Sequence, residues 1–198
     1  MKHIFILVIA HIALLFTISS CNSCSNDGST SDTINIVAVD SLPRIVELEG
    51  TIGDGTSMNE LEIIGKNGDT VVVSVPHELI KGDVKAGDIV NVVYYVNKDE
   101  NLASIVINKS ALMHLWSATV FGHKQSLELD AEGVAISYDM PVDYSHWELK
   151  DGLLLLEATR PLGSEKPQHV DTFEIMSLTE SNLVLMRNHE EIIFDLEN

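Results

Sequence analysis

Leu61-Glu62-Ile63-Ile64-Gly65-Lys66-Asn67-Gly68-Asp69-Thr70-Val71-Val72-Val73-Ser74-Val75 decides the fold class. At its centre, Asn67-Gly68 is the dipeptide that most favours a type I′ hairpin turn, because both residues tolerate positive φ. On either side, residues 57–65 and 70–75 read as strands. In the second of these Val71, Val73 and Val75 alternate with Thr70 and Ser74, and a period of two sends successive side chains to opposite faces. Upstream, residues 44–53 repeat the pattern, with Val46, Leu48 and Ile52 on one face and Glu47, Glu49 and Thr51 on the other. Downstream, Pro76 ends the hairpin, residues 77–81 have room for one helical turn, and Lys85-Ala86-Gly87-Asp88 turns the chain into a strand at 89–96. A polar turn at 97–101 then leads to a last strand at 102–108. Five strands with a short insert between the third and fourth match an OB-fold barrel, with an SH3-like barrel as the alternative.

Beyond residue 110 the strands come faster. The pattern predicts them at 114–121, 126–130, 134–138, 146–150, 153–159, 170–178, 182–187 and 191–196. Turn signals separate them at Glu132-Gly133, Asp151-Gly152, Pro161-Leu162-Gly163 and Ser181-Asn182. A strand and turn every 11 residues or so is the spacing of a small up-and-down barrel. No tandem repeat and no sustained helical periodicity occurs. The predicted architecture is all-β, with a five-stranded OB-like barrel at 43–109 and an eight-stranded barrel at 110–198.

The chain has 198 residues, 45% hydrophobic and 21% charged, proportions of a folded globular protein and not of disorder or a coiled coil. Thirty acidic residues against twelve basic ones leave a formal charge of -18. Such a surface repels phosphate backbones, so a nucleic-acid partner is not expected.

Lys2 followed by an apolar run from Ile4 to Phe16, broken only by His11, has the make-up of a signal peptide and is too short to span a bilayer. It ends in Ile18-Ser19-Ser20-Cys21, which resembles the bacterial lipobox. The resemblance implies a signal peptide at 1–20, acylation of Cys21 by palmitate-type chains, and a lipidated tether at 21–42. Each buried CH₂ contributes about 0.8 kcal/mol, and stable anchoring takes more than one chain. Residues 22–32 have linker composition, with Asp27 and Asp32 as their acidic residues. Surface-displayed Bacteroidetes lipoproteins usually carry an acidic run after the cysteine, so the expected address is the outer membrane, facing the periplasm. Cys21-Asn22-Ser23-Cys24 also reads C-x-x-C, but no βαβ pattern surrounds it and acylation consumes the first thiol, so redox activity is not expected.

The order Leu127-Glu128-Leu129, Glu132-Gly133-Val134-Ala135, Tyr144-Ser145-His146-Trp147-Glu148-Leu149, Leu153 to Leu156, Asp171-Thr172-Phe173-Glu174-Ile175 and Leu178-Thr179-Glu180-Ser181-Asn182-Leu183-Val184-Leu185 resembles the lipocalin-like domain of Bacteroidetes lipoproteins. The resemblance implies a small calycin-type barrel on a lipidated envelope protein. Leu115-Trp116-Ser117 resembles the lipocalin first-strand tryptophan, with His114 where the glycine of G-x-W would stand. The two-barrel plan is also similar to a copper-stress lipoprotein family of enteric bacteria. There the barrels come in the reverse order and the lipocalin-like one holds a C-x-x-C pair, so no metal or redox role is carried over.

Catalytic chemistry finds no foothold. His77, His114, His123, His146, His169 and His189 are scattered, and His189-Glu190-Glu191 lacks the second histidine of H-E-x-x-H. There is no G-x-S-x-G elbow and no glycine-rich phosphate loop. Asp139 and Asp143 flank Met140-Pro141-Val142 and are candidate Ca²⁺ ligands, but without an EF-hand loop. No catalytic, cofactor or metal set is assigned. The ligand candidates are Trp116, Tyr138 and Trp147, for each of which a core role competes. An eight-stranded barrel either fills with side chains or holds one small ligand, and so short a barrel is expected to be plugged by Leu129, Ile136, Trp147, Leu149 and Phe194. In the first barrel Tyr94 and Tyr95 are adjacent in a strand and face opposite ways, so at most one can serve an exposed site.

The expectation is a non-enzymatic envelope lipoprotein, anchored through Cys21, whose lipocalin-like barrel binds or senses a small apolar or lipid ligand. The competing expectation is a structural or interaction protein with solid barrels that meets another envelope protein. An apolar cavity of about 300 Å³ or more would favour the first, and a filled barrel with exposed apolar surface the second.

Overall fold

A computed structural model describes residues 43–98, 100–159 and 169–197. The lipobox cysteine Cys21, Cys24 and the tether lie outside the described residues. Among the described residues no helix is long and apolar enough to cross a membrane.

The first barrel is built from β1 (Arg44–Ile52), β2 (Glu60–Gly65), β3 (Thr70–Ser74), β4 (Ile80–Lys81), β5 (Ile89–Val96) and β6 (Asn101–Asn108). Strand β1 pairs with β2 and β5, β2 with β3, and β5 with β6, all antiparallel. A parallel contact of β3 with β6, at Ser74 and Leu102, closes the ring of five strands. The two-residue β4 adds to β6 after a 3₁₀ turn, His77–Leu79, where one helical turn was expected. This order and closure are OB-like. The core is mainly aliphatic, with Ile63, Val73, Val90, Val92 and Val106 fully buried and Tyr94 packed among them.

The hairpin that opened the sequence reading differs from expectation in detail. Its loop is Lys66-Asn67-Gly68, closed by Gly68 N–H to the Gly65 carbonyl (2.9 Å) and Gly65 N–H to the Asp69 carbonyl (2.8 Å). Gly68 takes φ +85 and Asn67 is not in the left-handed region. The Asn67 side chain instead accepts from Asp69 N–H at 3.1 Å, which favours a three-residue loop ending in a left-handed glycine over a two-residue one.

The second barrel comprises β7 (Leu115–Val120), β8 (His123–Leu129), β9 (Ala135–Tyr138), β10 (Tyr144–Lys150), β11 (Leu153–Ala158), β12 (Val170–Leu178), β13 (Asn182–Arg187) and β14 (Glu190–Leu196). They follow one another up and down, and β14 closes on β7 through Asp195 and Ser117, Leu196 and Trp116. Between β9 and β10 the ladder is replaced by Trp147 N–H to the Gly133 carbonyl (2.8 Å) and Tyr144 N–H to Ser137 Oγ (2.9 Å). The barrel is thus nearly closed. Three of its hairpins have two-residue loops with both residues at positive φ: Phe121-Gly122, Asp151-Gly152 and Asn188-His189. The sequence pattern places Phe121 at a strand end and Asn188 in a spacer. The tight turns they form let β8 and β14 start earlier than expected.

One core assignment is corrected. Ile136 is 43% exposed and Ala135 is buried, because Leu129 pairs with Ala135 while Ile136 pairs with the outward Glu128. Paired residues share a face, so the register and not hydrophobicity decides. Leu129, Trp147 and Phe194 are buried as expected, and Leu149 packs half-buried against the same core.

Candidate functional site

The two ends of the second barrel have different chemistry. The end carrying the β10–β11 and β12–β13 turns meets the first barrel. Lys81 Nζ donates to the Met176 carbonyl (2.9 Å) and Gly82 N–H to the Leu178 carbonyl (3.1 Å). Glu47 Oε1 accepts from Asn91 Nδ2 (2.9 Å) and Asp151 N–H (3.0 Å). Lys109 Nζ sits 5.4 Å from the centre of the Trp147 ring and bridges to Glu49 at 2.8 Å. Burial opposes the charge on Glu49, but Lys109 and then Lys66 outweigh it and hold its carboxyl below the usual range. Ile107 of β6 belongs to the core of the second barrel, so apolar packing runs across the junction.

Both tryptophans close this end from within. Trp116 is 1% exposed and donates through Nε1 to the Leu112 carbonyl (2.9 Å); Trp147 is 2% exposed and donates to the Asp130 carbonyl (3.0 Å). A buried indole needs such a partner, and these two have found theirs in the protein. The third ligand candidate, Tyr138, is on the outside, 44% exposed, with its hydroxyl donating to Glu128 at 2.7 Å. That hydrogen bond to a carboxylate raises its pKa. The three candidates therefore do not converge on one site.

The opposite end holds a charged cluster. Asp171 on β12 is 1% exposed and faces inward beside Phe173 and Ile175. Its Oδ2 accepts from Tyr144 (2.6 Å) and from Arg187 Nη1 (2.7 Å). Its Oδ1 lies 2.7 Å from Arg187 Nη2 and 2.5 Å from His169 Nε2; neither contact has hydrogen-bond alignment, so that oxygen is paired with the Arg187 charge. Arg187 also covers the Phe173 ring, 5.7 Å from its centre. Burial first, and the hydrogen bond to Asp171 second, push the Tyr144 hydroxyl far above its ordinary value. Sequence reading missed this cluster, although one signal was present: an aspartate in phase with Phe173 and Ile175, on the apolar face of its strand.

A cleft of about 340 Å³ runs along the junction, lined among others by Lys85, Asp88, Ser110, His114, Trp116 and Glu180. Several of its polar groups are committed to the fold. Asp88 Oδ2 accepts from Lys85 N–H and Asn108 Nδ2, both at 3.0 Å, and Ser110 Oγ accepts from Ile89 N–H at 2.9 Å. The His114 ring meets Trp116 edge-on at 6.0 Å. A shallower concavity of about 750 Å³ lies beside the Phe121 hairpin and includes Asp139. Among the described residues, no group of three or more His, Cys, Asp or Glu is placed to hold a metal ion. Tyr94 is buried and Tyr95 39% exposed, facing opposite ways as the alternation requires.

The second barrel is a nearly closed eight-stranded meander with a tryptophan in its first strand. Residues 110–196 match the lipocalin-like family. No curated protein matches the chain. Among solved structures, a lipocalin-like protein from Bacteroides thetaiotaomicron VPI-5482 is 26% identical over 44% of this chain and 97% of that one, with a TM-score of 0.38. The matched residues span the second barrel and all but the first residue of the short α1 helix (Lys109–Leu112) that leads into it.

Proposed function

We propose that this protein is a non-catalytic lipoprotein of the bacterial cell envelope, tethered through Cys21 to the periplasmic face of the outer membrane, that acts by binding another envelope protein. The observation that carries this reading is the filled interior of the lipocalin-like barrel: Trp116, Trp147, Phe194, Leu127 and Leu154 are essentially inaccessible. A ligand-carrying barrel keeps that space for its cargo. Apolar groups are instead displayed outside, where Ile45 is 62% exposed, Ile193 58% and Phe121 99%. Lipocalin-like proteins are typically non-enzymatic, which agrees with the scattered histidines. The charge of -18 disfavours direct contact with anionic headgroups and suits a partner with a basic face.

A second reading rests on the junction cleft, whose 340 Å³ reaches the lower size of small-molecule sites. Its mixed lining suits a polar ligand better than an apolar one. Native mass spectrometry of the full chain, released in detergent from an envelope extract, separates the readings. A co-purifying mass of a few hundred daltons would overturn the partner-protein reading. A bare chain, together with a reproducible cross-link to one envelope protein, is the expected result.

A further inference from the structure

We propose that the junction cleft is where the partner protein docks, and that it takes an arginine side chain whose guanidinium pairs with Asp88; the proposal rests on the partner-protein reading. Among the described residues two carboxylates are buried, Asp88 at 8% exposure and Asp171 at 1%. A charge withdrawn from water is costly unless a counter-charge and hydrogen bonds replace that water. Asp171 has Arg187. Among the described residues no Lys, Arg or His forms an ion pair with Asp88. Its hydrogen bonds are one-sided as well, since both donors, Lys85 N–H and Asn108 Nδ2, reach Oδ2. Among the described residues Oδ1 meets no donor, yet it is not sealed inside the protein; it opens on the cleft that Asp88 lines. The counter-charge that Asp171 finds within the chain is the group that Asp88 lacks.

The carboxylate is held in place before anything binds. Asn108 Nδ2 also donates to the Asp83 carbonyl (2.5 Å), Asp88 N–H donates to the Lys85 carbonyl (3.0 Å), and the Asp88 carbonyl accepts from Ile52 N–H (2.9 Å). Such preorganisation lowers the ordering cost of binding. Two more carboxylates, the exposed Asp83 and Glu180, line the cleft against a single ammonium, that of the exposed Lys85. The complement of this lining is a cation. Guanidinium suits it better than ammonium, because it is more weakly hydrated and presents five N–H donors in one plane, enough to serve Oδ1 and the flanking carboxylates together. The chain's charge of -18 draws a basic partner face toward the cleft before contact is made.

Two-dimensional NMR of the full chain in detergent micelles tests the chemistry, with N-acetyl-arginine amide as the probe and N-acetyl-citrulline amide as its uncharged counterpart. The arginine probe should give saturable shifts at Ser110, His114 and Glu180, and the citrulline probe should bind at least about tenfold more weakly. Asp83→Asn with Glu180→Gln should weaken the arginine probe about three- to tenfold, and Lys85→Gln should strengthen it about twofold. Glu174→Gln with Glu191→Gln removes the same charge outside the cleft and should change binding by less than about twofold. The Asp83→Asn, Glu180→Gln chain should also lose at least about two thirds of its cross-link to the envelope protein. Absence of saturable shifts at the cleft, or an equal response to citrulline, overturns the proposal. A cross-link that survives the double substitution unchanged overturns it too, while leaving the partner-protein reading in place. Arginine binding by a wild-type chain that forms no cross-link overturns both, and makes the cleft a site for a free small cation.

Discussion

Replacing Arg187 by methionine keeps the bulk that covers Phe173 and removes the charge that faces Asp171. The aspartate is 1% exposed, and stripping one partner from a buried ion pair costs roughly 3–5 kcal/mol, because the remaining charge is stranded. Two features lower that figure here. The Arg187 side chain is 35% exposed, which screens the pair, and Tyr144 still donates to Oδ2. The expected loss is about 2–3 kcal/mol, equivalent to a melting point lowered by roughly 5–10 °C in a chain of this size. Urea unfolding followed by tryptophan fluorescence reads it directly, since Trp116 and Trp147 are both in the affected barrel. The double variant Arg187→Met with Asp171→Leu removes both charges, and should be more stable than Arg187→Met alone. A loss below about 0.5 kcal/mol for the single variant, or a double variant less stable than it, would refute the view that a buried, charge-paired carboxylate closes this end.

Tyr144→Phe should cost roughly 1.5–3 kcal/mol at neutral pH, the range for a hydrogen bond to a charged group. Because the folded tyrosine ionises far above its unfolded value of about 10, its contribution is complete below that pH and fades as pH climbs through the folded value, so the variant should lose less stability on alkaline titration. Glu49 is shifted the other way: its contribution is full above the unfolded glutamate value of about 4.3 and disappears as pH falls through the folded one, so Glu49→Gln should cost about 1 kcal/mol at pH 7 and progressively less as pH falls through the folded value. Gly152→Ala would place a methyl 2.7 Å from Ile105 Cγ2 at φ +77, whereas Gly68→Ala meets nothing within 4 Å at φ +85; thermal melts should show the first as the more destabilising by about 1–2 kcal/mol. Cys21→Ala should take up no radiolabelled palmitate and leave the membrane fraction, and a labelled variant would place the anchor elsewhere.

The strands were legible because alternation is strong where a sheet has one wet face. Val71, Val73 and Val75 against Thr70 and Ser74 show this well, and the observed β2 and β3 fall inside the predicted spans. What sequence could not supply was register. Ile136 looks like core by hydrophobicity, yet the pairing of Leu129 with Ala135 turns it to solvent. Turn chemistry was legible at Asp151-Gly152 and hidden at Phe121-Gly122, because a phenylalanine at φ 49 is disfavoured on its own and is held there by the strands on either side. The junction was invisible for a different reason. Contacts such as Lys81 with Met176, or Asp151 with Glu47, join residues about a hundred positions apart, and no local pattern encodes them.

Ligand entry into the lipocalin-like barrel is opposed at both of its ends. Entry at the junction end would require Trp116 and Trp147 to move, and each is tied by its indole N–H to a backbone carbonyl. Entry at the other end would require Arg187 to swing off Asp171, leaving a buried carboxylate without its counter-charge. Opening either end therefore costs several kcal/mol before a ligand gains anything. A small apolar molecule recovers little from a cavity that side chains already fill, since its burial only replaces theirs. The outer surface carries no such penalty, and it is there that this chain leaves Ile45, Tyr95, Leu102 and Phe121 uncovered. That difference in cost supports the proposed recognition on the outer surface.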